Sequence, residues 1–156
     1  MLIRILHRIR TSSLGRRNSP LRSAWQVIGW WEARRIPFNL VVGTTGMVTT
    51  AAILATGFVS ELTLGVPIGL PDPPIFAMLG VVVFAVGANA CYTGGWVGEL
   101  LVRRAWPEES DQFGTLMFTL GLPFAVVVTL SPAVLIAGVA VLYAIARWLG
   151  YAGPIE

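Results

Sequence analysis

Residues 113–149, from F-G-T-L-M-F to Y-A-I-A-R-W-L, are apolar almost throughout, and Arg147 is the only charged side chain among them. A single helix of that length would be about 55 Å long, against a hydrocarbon core of roughly 30 Å. A chain that carries such a stretch cannot hide it in a domain of 156 residues. It has to place it in a membrane.

Composition agrees. Hydrophobic residues make up 55% of the chain and charged residues 12%, about half the charged share of an average soluble domain, roughly 25%. The expected class is an all-α integral membrane protein. Two further apolar stretches reach spanning length, 38–60 and 74–104. Within 113–149 the sequence L-S-P at 130–132 offers a break, because serine can cap a helix and proline can start one. The expectation is therefore four spans, about 38–60, 74–104, 113–130 and 132–149. The alternative is three spans and a re-entrant or surface segment.

The chain has no lysine, and all eleven basic residues are arginine. Arg4, His7, Arg8, Arg10, Arg16, Arg17 and Arg22 crowd the first 22 positions. Arginines so close to an apolar domain suit anionic lipid headgroups, and Arg4, Arg8, Arg10, Arg16, Arg17 and Arg22 are the candidate headgroup contacts. No nucleic-acid-reading motif accompanies them. Leu2, Ile5, Leu6 and Ile9 recur on one helical face, the pattern of a short amphipathic segment lying in the interface. Basic residues recur through the segment and no apolar core or small-residue cleavage site follows, so it does not read as a secretory signal.

Ser19-Pro20 marks a helix start, and Leu21, Ala24, Trp25, Ile28 and Trp31 then recur at spacings of three and four. The sequence W-W-E-A-R-R-I-P-F-N follows at 30–39. Proline lacks an amide hydrogen and disfavours helix at the residue before it. The expectation is a basic surface segment over 1–37, an elbow at Pro37, and a transmembrane domain over 38–150. Trp30 and Trp31 would sit at the interfacial level. Glu32, Arg34 and Arg35 would meet Glu99, Arg103 and Arg104 at the same depth.

The second span holds the other informative stretch, N-A-C-Y-T-G-G-W-V-G-E-L-L-V-R-R at 89–104. At about 100° per residue, Asn89, Tyr92, Trp96, Glu99 and Arg103 form one stripe. Gly87, Cys91, Gly94, Gly95 and Gly98 read as an opposite, small face able to admit a neighbouring backbone. Polar groups inside a membrane default to a functional reading, here a ligand or proton path. The competing reading is a structural ion pair between Glu99 and Arg103, Arg34 or Arg35 near the headgroups. Cys91 reads as a packing residue.

The two stretches together, W-W-E-A-R-R-I-P-F-N and N-A-C-Y-T-G-G-W-V-G-E, resemble a set of small uncharacterised bacterial membrane proteins. These share a pattern close to W-W-E-x-R-R-x-x-[FY]-N followed by N-x-x-Y-x-x-G-x-x-x-E. The resemblance covers about positions 25–105 and implies a compact helical membrane protein with no assigned activity.

No Walker loop, dinucleotide fingerprint or zinc-protease motif is present. One cysteine and one histidine supply neither an internal disulfide nor a multi-Cys or multi-His metal site. The acidic residues Glu108, Glu109 and Asp111 read as a solvated loop. The sequence thus points away from an enzyme, and no cofactor is implied. The first functional expectation is a small membrane subunit that stabilises or helps assemble a larger bacterial complex, respiratory or photosynthetic for example. Its partners would be anionic lipids and other membrane subunits. The second is an oligomeric transporter or channel with the Asn89–Glu99 stripe on its path. Arginine placement and four spans put both termini on the cytoplasmic side of the inner membrane.

Overall fold

The computed structural model describes residues 23–65, 75–106 and 110–151, with the side chains of 110 and 111 left aside. The amphipathic segment at 2–10, the six arginines before Ser23, the Ser19-Pro20 start, most of the 61–73 loop and the acidic 108–111 cluster therefore lie outside the described residues or side chains.

The described residues form three long α-helices: α1, Ala24–Leu64; α2, Ile75–Ala105; and α3, Ser110–Trp148. All three are long and apolar enough to cross a membrane. Among the described residues the protein is thus all-helical and of membrane type, with three long helices where four spans were expected. Both expected breaks are helical instead.

The first is at Ser131-Pro132, where α3 continues without interruption. Proline at 132 removes the hydrogen bond that the Val128 carbonyl would receive one turn earlier. The Ser131 hydroxyl donates to that carbonyl at 2.8 Å. The serine read as a cap mends the helix instead, a repair known for prolines in membrane helices.

The second is at Pro37, where α1 runs on through the proposed elbow. Here the helix is held on both sides by one residue of α2. The Tyr92 ring packs against Trp31 (5.3 Å between centroids) before the proline and Phe38 (4.7 Å) after it. Surface helix and first span are one helix of 41 residues.

Packing divides the chain into two compact units. One takes Val41 and the residues before it together with Phe84–Ala125; the other takes Val42–Val83 with Val126 and the residues after it. In the first, Val27, Trp31, Phe38, Tyr92, Phe118 and Leu122 form a small core. Its centre is aromatic. Trp30 and Trp31 meet edge-on at 5.5 Å, and both lie edge-on to Phe118, at 6.0 and 6.1 Å.

In the second unit, Val42, Thr49, Ile53 and Ser60 of α1 are buried, as are Thr129 and Ala140 of α3. The two helices approach closely beside Gly46, where a methyl group added to the glycine would meet the Thr129 methyl at 3.9 Å. Small and threonine side chains permit this approach. The Thr49 hydroxyl lies 2.9 Å from the Thr129 carbonyl and 3.0 Å from that of Thr45. The Arg147 guanidinium donates to the Leu64 carbonyl and so caps the end of α1. Residues 75–83 of α2 also belong to this unit but bury no side chain.

Candidate functional site

Among the described residues, the singled-out side chains Trp31, Arg35, Asn89, Tyr92 and Glu99 gather in the first unit, along the contact of α1 with α2. The two helices run antiparallel there. Trp31 lies beside Glu99, and Arg35, four residues later, lies beside Asn89 and Thr93.

Glu99 is fully buried. Its carboxylate accepts from the Trp31 indole N–H at 2.8 Å and from Arg103 Nε at 3.4 Å. A buried carboxylate needs such donors, because isolated charge in an apolar interior is costly. Tyr92, also buried, donates its hydroxyl to the Trp31 backbone carbonyl at 2.5 Å. Trp31 is thus held at both ends of the same residue, by its ring nitrogen and by its main chain.

Arg35 joins the second cluster. It grips both oxygens of Glu32 at 2.7 Å and also donates to the Asn89 amide oxygen at 3.3 Å and the Thr93 hydroxyl at 3.1 Å. Its guanidinium stands 5.2 Å from the Tyr92 ring centre. Asn89 and Asn39 exchange amide hydrogen bonds at 3.1 and 3.3 Å. Arg34 lies 4.0 Å over the Trp30 ring and donates to the Trp30 carbonyl. Arg104 is exposed.

Glu32, Arg34 and Arg35 were expected to meet Glu99, Arg103 and Arg104. The ion pairs described instead lie within one helix each, Glu32 with Arg35 and Glu99 with Arg103. The joint between α1 and α2 is made through Trp31, Arg35, Asn39, Asn89, Tyr92, Thr93 and Glu99. Asn39, Thr93, Phe38 and Phe118 are parts of it that the sequence reading did not single out. Asn39 stood in the motif itself, and its helical distance of four from Arg35 was the available signal.

The small face of α2 divides in two. Gly95 sits against the bundle: a methyl group there would come within 2.6 Å of the Trp31 ring. Gly98 faces Phe113, which the same group would touch in ordinary contact at 3.8 Å. Gly87 and Gly94 are open, with nothing within 4 Å, and Cys91 is exposed between them. The angular reason is simple. Gly95 lies four residues before Glu99 and so shares its side of the helix, not the opposite one. Trp96, on the polar stripe, keeps its indole N–H buried without a hydrogen-bond acceptor.

What this arrangement does chemically is to satisfy polar groups mutually. Tyr92 and Glu99, the two buried members of the stripe, lie against α1. No family model, curated protein or solved structure matches the chain.

Proposed function

We propose that the protein is a small non-catalytic subunit of the bacterial cytoplasmic membrane, one that packs against a larger membrane complex and stabilises it or helps it assemble. The observation that carries this is the length of α3. Residues 113–146 hold no charged side chain, and 34 such positions make about 51 Å of helix. At a common tilt of about 20°, a core of roughly 30 Å takes in only some 21 of them. Along the whole helix large apolar side chains stand outward, from Leu116, Leu120 and Phe124 near one end to Leu142 and Ile145 near the other. Acyl chains cannot cover all of that surface, and another protein surface fits the need.

The inward use of Tyr92 and Glu99 supports the same reading over a transport path. On this reading each of the three long helices crosses once, which leaves the two ends of the described chain on opposite faces. Arginine content then assigns the face of Arg34, Arg35, Arg103 and Arg104 to the cytoplasm and Arg147 to the other side. The expectation of two cytoplasmic ends rested on an even number of spans.

Extraction in a mild detergent, followed by native electrophoresis and identification of co-migrating chains, tests the proposal. The expected result is migration with unlike subunits. Leu116→Ser, Leu120→Ser and Phe124→Ser together should release the protein from them. A monomer alone refutes the reading, and a ring of identical copies favours the channel.

A further inference from the structure

We infer that the Glu32–Arg35–Asn39–Asn89 network lies in the lipid headgroup layer. On this register α1 up to Arg35 and α2 from Asn89 to its end face headgroups and water, while the first residues of α2 lie inside the hydrocarbon. The inference concerns the lipid contact of the chain and stands whether or not a protein partner exists.

The first support is the charge pattern of α1. Arg35 and Glu61 bracket residues 36–60, 25 positions without a charge, or about 38 Å of helix. This stretch matches the roughly 30 Å core with a margin for tilt. Any deeper setting of the network would draw Glu32 and Arg35 into the acyl chains. Intramembrane charges are tolerated where they face the bundle interior or a water-filled cavity. Glu32 faces outward, with 42% of its side chain exposed, and so does Asn39.

The second support is the amide pair. Asn39 and Asn89 bond reciprocally, which puts Asn89 of α2 at the depth of Asn39 of α1. From Asn89 back to Ile75 is 14 positions, about 21 Å. That is less than the hydrocarbon thickness, so α2 begins below the opposite surface. The alternative register centres the 31 residues of α2 on the bilayer. It would bring Ile75 to the far interface and carry Asn89 and Cys91 to the middle of the acyl region.

Cys91 reports directly on the difference. It is the only cysteine in the chain, its side chain is exposed, and it stands two residues from Asn89 on the headgroup side. The full-length protein would be placed in nanodiscs, where both faces are open, and treated with a membrane-impermeant charged maleimide. Wild-type Cys91 should react within severalfold of the rate of an Ala105→Cys reference in a Cys91→Ala background. In that same background Ile75→Cys and Met78→Cys should react at least tenfold more slowly until detergent is added. An unreactive Cys91 beside a reactive reference overturns the inference, and so does rapid labelling of Ile75→Cys.

Discussion

Where α1 meets α2, around Trp31 and Arg35, the contact is made by rings, a buried carboxylate, a guanidinium and paired amides. Where α1 meets α3 further along, around Gly46 and Thr49, it is made by close backbone approach and one hydroxyl. Both joints belong to apolar helices, yet they constrain the chain differently. Smooth small-residue packing tolerates small slips, because neighbouring positions offer similar surfaces. The polar joint does not, because sliding α2 by one turn would take buried Glu99 away from the Trp31 indole and Asn89 away from Arg35 and Asn39. The comparison teaches that register is set in the first unit, while the second supplies a simple apolar contact.

The sharpest way to break this contrast is at Glu99. Glu99→Ala removes the acceptor of the Trp31 indole and the partner of Arg103. It should cost about 3 kcal/mol, the scale for breaking a buried charged pair. Denaturant titration in detergent micelles should show it as a large fall in midpoint. Glu99→Gln keeps an acceptor for Trp31 and should lose markedly less; equal losses would mean that charge, not the indole bond, matters.

Gly95→Ala comes next. Its new methyl would meet the Trp31 ring at 2.6 Å, and overpacking of this kind costs about 1–3 kcal/mol. Gly94→Ala, one position away in open space, should be neutral in the same titration. A loss at Gly94 equal to that at Gly95 would contradict the described face.

In the second unit the effects should shrink. Thr49→Val removes the hydroxyl that reaches Thr129 and should cost about 0.6 kcal/mol, the average for a hydrogen bond between membrane helices. Arg147→Ala takes away an exposed cap and should stay within about 0.5 kcal/mol in the same titration. If either equals the Glu99→Ala loss, the division of labour between the joints is wrong.

Much of this was legible in the sequence. The apolar stretches announced membrane helices, and a 100° periodicity placed Tyr92 and Glu99 on one stripe, and both do face α1. The breaks were misread because proline rules describe an isolated backbone. The Ser131 hydroxyl and the Tyr92 ring supply partners that such rules leave out. The role of Trp31 was hidden for a related reason. A tryptophan near a membrane boundary reads as an interfacial anchor, and only the neighbouring helix shows that this one is buried as a donor to Glu99.

The spacing of the clasp along the chain bears on the order of synthesis. Trp31 and Glu99 are 68 residues apart, and Arg35 and Asn89 are 54 apart. When Leu64 is added and α1 is complete, every partner that α2 will give it is still untranslated. Glu32 is the exception. It lies only three residues from Arg35 and binds both ends of its guanidinium. The nascent helix therefore carries a local partner for Arg35 from the start. The Glu32–Arg35 pair acts as an escort for α1 in the interval before Asn89 and Thr93 arrive.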